Sequence, residues 1–78
     1  MSAADIIREV AQSHGLAPSD IKGQERRRPV AWARQEAMAR LYEYGLSLGT
    51  VARLLGGLHH TTVIHGKRRH YERAGADQ

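Results

Sequence analysis

Two adjacent glycines, Gly56 and Gly57, separate two helical patterns and most constrain how this chain of 78 residues folds. Glycine adopts the backbone conformations that end a helix at little steric cost, so the pair predicts a tight turn. Residues 59–62 follow the turn, and their side chains carry hydrogen-bonding tips at the start of the next helical pattern. Two helices joined in this way are typical of a helix-turn-helix.

The apolar pattern elsewhere predicts helices and no strands, because no segment alternates between apolar and polar residues. Ser2 and Asp5 resemble a capping box, and the spacing after them predicts a helix over residues 3–14. Residues 18–21 predict one short helical turn. A long helix is predicted to begin at Pro29 and to end at Gly45. Its apolar stripe comprises Val30, Ala33, Ala37, Met38, Leu41 and Tyr44.

Two further helices complete the prediction. Ser47 is a suitable cap for a helix whose buried side holds Val51, Ala52, Leu54 and Leu55. The last helix is predicted from His60 to about Arg73, and residues 74–78 are expected to form a frayed tail. The fold class is therefore all-α: a single helix-turn-helix domain over residues 1–78, with four main helices, a short helical turn and a core within residues 3–73.

The charge of the chain favours a polyanionic partner. Twelve Lys and Arg residues against eight Asp and Glu residues give a formal net charge of +4. The chain has no cysteine, so disulfides and thiolate metal sites are excluded. No apolar run approaches the roughly 18 residues of a membrane span. Neither a cofactor nor a small-molecule substrate is expected.

The last helix has one packing face and one polar, cationic face when its residues are placed 100° apart. The packing face holds Val63, Ile64 and Tyr71, together with the stem of Lys67. The opposite face holds Thr61, Thr62, His65, Arg68 and Arg69. Hydroxyl and imidazole tips with positive charge behind them are what a helix in the DNA major groove needs. We therefore predict binding to double-stranded DNA.

Specific motifs support that prediction. The run from Gly56 to His65 resembles the signature of the C-terminal DNA-binding domain of the bacterial replication initiator DnaA, which typically reads Gly-Gly-Arg-Asp-His-Thr-Thr-Val-x-His. Arg34-Gln35, the basic segment 26–28 and the N-terminal apolar pattern also match, so the resemblance covers residues 6–71. It implies a role linked to replication initiation or its regulation, in the cytoplasm at the bacterial nucleoid.

The resemblance also implies a role for each matching residue. His60, Thr61 and Thr62 are expected to contact bases and phosphates in the major groove, and Arg26 is expected to enter the adjacent minor groove. Arg34 is expected to contact DNA, although its place near the apolar stripe also permits an interior partner. The complete set of expected DNA-binding residues is Arg26, Arg27, Arg28, Arg34, Gln35, Leu48, His59, His60, Thr61, Thr62, His65, Lys67, Arg68 and Arg69.

The chain departs from the family signature at Leu58 and His59, which stand where the family has Arg and Asp. Aspartate only accepts hydrogen bonds, whereas histidine also donates to guanine or adenine N7. We hypothesise that the domain binds duplex DNA without preferring the standard DnaA box. No phosphate-binding Gly-x-x-x-x-Gly-Lys-Ser/Thr motif occurs, so a complete chain would be a stand-alone binder, whereas a fragment would have lost an ATPase module.

Some residues favour alternatives to DNA binding. Exposed apolar side chains at Leu58 and Trp32 would favour a protein-interaction adaptor or inhibitor, and a small transcriptional regulator is a further alternative. Catalysis is not expected, since no serine has a plausibly placed His and Asp partner. The histidine spacings of five residues do not suit a helical metal site. Gly66 lies inside the last helix and would permit close helix packing.

Overall fold

The computed structural model describes residues 1–23 and 27–75, and all the regular structure within these ranges is helical. The elements are α1 (Ala3–Ser13), α2 (Pro18–Ile21), α3 (Arg28–Tyr44), α4 (Leu48–Leu54) and α5 (His60–Arg73). The predicted all-α class is confirmed. No helix within the described ranges is both long enough and apolar enough to cross a membrane.

Serine side chains set the starts of α1 and α4, as the sequence indicates. The Ser2 hydroxyl accepts from the Asp5 amide, and the Asp5 carboxylate accepts from the Ser2 amide, so both halves of the capping box are present. The Ser47 hydroxyl accepts from the Thr50 amide at 3.2 Å and caps α4. The first helix ends one residue earlier than predicted, and His14 is its C-cap.

The central element is α3, against which every other helix packs, while α4 also packs on α5. Its buried side holds Val30, Ala33, Ala37, Met38 and Leu41, as the stripe predicts. Tyr44 is a correction to that stripe. Tyr44 is 49% exposed, because its hydroxyl lies at the surface, where it donates to the Met1 carbonyl at 2.6 Å.

The turn between α4 and α5 depends on its glycines. Gly56 and Gly57 have φ values of +103° and +79°. The Ala52 carbonyl accepts from the amides of Gly57 and Leu58, each at 3.0 Å, and so closes the end of α4. A Cβ atom on Gly56 would lie 3.1 Å from the backbone nitrogen of Gly23. The predicted tight turn is therefore confirmed, and glycine is required where two backbone segments meet.

Another glycine, Gly66, sets the distance between α5 and α3. Gly66 is buried at their contact, and a Cβ atom there would lie 2.1 Å from the Met38 sulfur. Ordinary contacts between such atoms are about 3.5–4.0 Å, so only glycine lets α5 approach α3 this closely. The close packing predicted for Gly66 is confirmed.

Candidate nucleic-acid interface

The start of α5 is capped by a histidine. His59 is the N-cap, and its Nδ1 accepts from the Thr61 amide at 3.1 Å and also contacts the Thr61 hydroxyl. Its ring stacks on His60 with centroids 4.4 Å apart. Both rings remain exposed to solvent. His59 therefore supplies the acceptor that caps the start of α5.

The predicted polar face of α5 is open to solvent. Its side chains share high exposure: those of His60, Thr61, Thr62, His65, Arg68 and Arg69. Three of them, Thr62, His65 and Arg69, line a notch of about 250 Å³ between α5 and α3. The opposite wall of the notch comes from α3: Ala31, Arg34, Gln35 and Met38. The structure therefore brings the two principal sequence motifs together at one surface.

Arg34 has its guanidinium inside the protein. The residue is only 7% exposed, and its Nε donates to the Ile21 carbonyl at 2.9 Å. Ile21 is the last residue of α2, so Arg34 satisfies a helix-end carbonyl that would otherwise lack an intrahelical partner. Of the two environments considered for this arginine, the interior partner is present. The residue also borders the notch, beneath the polar face of α5.

Gln35 lies beside Arg34 and is half-buried. Its Oε1 is buried and has no hydrogen-bond partner within residues 1–23 and 27–75. A buried acceptor without a partner costs free energy, about 1–3 kcal/mol. A donor entering the notch would recover that loss.

The basic segment before α3 is described only in part. Arg26, the predicted minor-groove residue, lies outside the described residues. Arg27 is the N-cap of α3 and Arg28 its first residue, and both are exposed. The Arg28 guanidinium lies 5.5 Å from the centre of the Trp32 ring.

Lys67 lies on a different flank of α5 from the notch. Its ammonium is 4.7 Å from the centre of the Tyr42 ring, on the side of α5 that also carries Tyr71. The Tyr71 hydroxyl donates to the Glu43 carboxylate. This hydrogen bond, together with burial and the carboxylate charge, raises the pKa of Tyr71 to about 12. Lys67 therefore lies on the packing side of α5, as its placement on the helical wheel predicts, and is separated from Thr62 and Arg69, with which it was expected to bind DNA.

Two leucines near the predicted interface pack inward. Leu48 is the first residue of α4, and both Leu48 and Leu58 are half-buried against the core. Leu58 was expected to be exposed if the chain were a protein-interaction adaptor. The turn after Gly57 instead brings it back over the end of α4.

One cation near this surface, Arg73, is not among the DNA-binding residues predicted from the sequence. The guanidinium of Arg73, in the last turn of α5, lies 4.4 Å from the centre of the Trp32 ring. Burial lowers the pKa of Arg73, and the Glu36 carboxylate opposes that shift. The available signal was its spacing, since Arg73 follows Arg69 by four residues and lies on the same side of the helix.

Comparison with known proteins agrees with the geometry. Residues 3–69 match the family described as bacterial DnaA protein helix-turn-helix. The chromosomal replication initiator protein DnaA of Herpetosiphon aurantiacus is 45% identical over 67 residues, covering 85% of this chain and 14% of the relative. The protein of the same name from Thermus thermophilus is 37% identical over 75 residues, covering 95% of this chain and 17% of the relative. The chain thus spans less than a fifth of these relatives.

Proposed function

Because this chain belongs to the family of bacterial DnaA helix-turn-helix domains, we propose that it binds double-stranded DNA selectively, with α5 in the major groove. The observation that carries the proposal is the exposed row of hydroxyl, imidazole and guanidinium groups along α5. The basic segment before α3 contacts the adjacent minor groove. Relatives are named as replication initiators, so the process proposed is replication initiation or its regulation.

The cap of α5 bears on which bases are preferred. Since Nδ1 of His59 accepts from the Thr61 amide, the neutral ring carries its proton on Nε2. That N–H is a donor, which suits N7 of guanine or adenine. An aspartate at this position offers only acceptors, which suit the amino group of cytosine. The hydrogen bond that starts the helix therefore supports a target different from the standard DnaA box.

Selection of bound duplexes from a random pool, followed by competition gel shifts, tests this preference. The expected result is a selected site that outcompetes the standard DnaA box for the wild-type domain. His59→Asp is the matched variant, because it keeps a capping acceptor and removes the donor. Its preference is expected to move towards the standard box. A wild-type domain that prefers the standard box over all other duplexes would refute the proposed specificity.

Separate variants distinguish base contacts from phosphate contacts. Thr62→Ala and His60→Ala are each expected to cost about 1–3 kcal/mol at the preferred site and little at others. Arg28→Ala is expected to weaken binding to all duplexes alike. Arg8→Ala is the charge-matched control, because Arg8 is exposed on α1, which packs on α2 and α3 rather than on α5.

The salt dependence measures the electrostatic part. Neutralising about 5–7 phosphates gives a slope of log K against log salt near −5 to −6. A slope near zero would contradict the electrostatic part of the proposal.

The alternative of a protein-interaction adaptor has lost one of its two supports, because Leu58 packs on the core.

A further inference from the structure

We propose that Arg28, Trp32 and Arg73, here called the Trp32 cluster, form an additional site for a backbone phosphate of the bound duplex. The inference rests on the proposed DNA binding and deepens it. It adds Arg73 as a contact residue and Trp32 as the residue that positions the two guanidiniums.

The cluster joins the two helices that form the interface. Trp32 lies in the second turn of α3 and is 39% exposed. The guanidinium carbons of Arg28 and Arg73 lie 5.5 Å and 4.4 Å from its ring centre, within the range of a cation–π contact. Arginine thus reaches the same ring from the start of α3 and from the end of α5.

The guanidinium edges remain available for a ligand. Stacking on an aromatic ring uses the flat face of a guanidinium and leaves its N–H groups directed outward. Within the part of the chain that the structure describes, neither Arg28 nor Arg73 donates a hydrogen bond. Two planar cations held on one ring offer several donors to one phosphate, which charge-assisted hydrogen bonds favour.

The position of the cluster matches the path of a DNA strand. In the proposed complex α5 occupies the major groove, and the segment before Arg28 reaches the adjacent minor groove. The phosphate backbone that separates these two grooves must then pass between α5 and the start of α3. Arg73 extends the row of Thr62 and Arg69 by one further turn, and Arg28 contacts the same Trp32 ring from the start of α3.

The test is the salt dependence of binding to the selected duplex by Arg73→Ala. Losing one phosphate contact is expected to reduce the magnitude of the log–log slope by about 0.9 and the affinity at 0.15 M salt by about fivefold. Arg8→Ala is expected to leave the slope unchanged. A loss of folded protein lowers the affinity by the same factor at every salt concentration, so a purely structural role for Arg73 leaves the slope unchanged.

Trp32 provides an independent readout, because it is the only tryptophan of the chain. Saturating DNA is expected to reduce quenching of its fluorescence by acrylamide, since the strand covers the ring. Trp32→Phe is expected to keep the wild-type slope, whereas Trp32→Ala is expected to reduce it. An unchanged slope in Arg73→Ala, or unchanged quenching on DNA binding, would overturn the cluster while leaving DNA binding intact. A wild-type domain with no affinity for any duplex would overturn both.

Discussion

Replacing Gly66 by alanine has two opposing effects on the free energy of unfolding, both at the contact between α5 and α3. Alanine in a helix is favoured over glycine by about 1 kcal/mol. The new methyl group, however, would lie 2.1 Å from the Met38 sulfur and 3.2 Å from its terminal carbon. Met38 is only 2% exposed, so it moves against a packed core, and such overpacking costs about 1–3 kcal/mol. We expect Gly66→Ala to lower the free energy of unfolding by about 1 kcal/mol.

The same substitution is expected to have the opposite sign once Met38 is shortened. Met38→Ala alone costs about 2–5 kcal/mol, because it leaves a cavity. In that background the Gly66→Ala methyl has room, and the helix preference of about 1 kcal/mol remains. The two substitutions should therefore couple by about 2 kcal/mol in a double-mutant cycle.

Urea unfolding followed by circular dichroism measures this coupling. For a small domain the slope is about 1 kcal/mol/M, so Gly66→Ala should lower the midpoint by about 1 M. The double variant should unfold at a higher midpoint than Met38→Ala. If Gly66→Ala raised the midpoint equally in both backgrounds, the close approach of α5 to α3 would not depend on this glycine.

Three further perturbations test other parts of the structure. Gly57→Ala is expected to lower the free energy of unfolding by about 1–2 kcal/mol, because of its positive φ alone. Gly56→Ala is expected to cost more, because a Cβ atom there also meets the backbone of Lys22 and Gly23. Equal urea midpoints for the two variants would contradict that contact. His59→Ala should lose about 1 kcal/mol of capping energy, whereas His59→Asp should retain it. Equal melting temperatures for the two variants would contradict the capping role. Tyr71 ionises with a pKa of about 12 in the folded state against an ordinary 10.0, so its contribution to stability is present below pH 10 and lost as the pH rises towards 12. An absorbance titration should show one tyrosine ionising late, and Tyr71→Phe, but not Tyr42→Phe, should remove that step.

The helix boundaries were predictable because they depend on local chemistry. The capping box at Ser2 and Asp5 and the paired glycines identify their helix ends without reference to any distant residue. The α5 bounds of His60–Arg73 agree with the prediction for the same reason. The matched motifs also identified Thr62 and Arg34 as neighbours of one surface, and both line the notch.

Side-chain environments were less predictable, because they depend on which distant residue is near. The spacing in α3 assigns Tyr44 to the apolar stripe, but only the packing shows that Tyr44 is 49% exposed and that its hydroxyl bonds to the Met1 carbonyl. Arg34 has an interior partner because α2 places the Ile21 carbonyl within its reach. Lys67 lies against Tyr42, and a helical wheel cannot show which neighbouring helix provides an aromatic ring.

Stability and the proposed DNA recognition are joined in this domain, because one side of α5 serves both. One flank of α5 faces residues 31–38 of α3, and it carries Thr62, Gly66, Arg69 and Arg73. Because Gly66 has no Cβ, α5 packs close to Met38, and this short distance between the helices also sets the width of the notch. A substitution that moves α5 away from α3 would both separate Arg73 from Trp32 and widen the notch. Gly66→Ala, which pushes α5 away from α3, should therefore lower the DNA affinity as well as the unfolding midpoint, although neither Gly66 nor Met38 is predicted to touch a base.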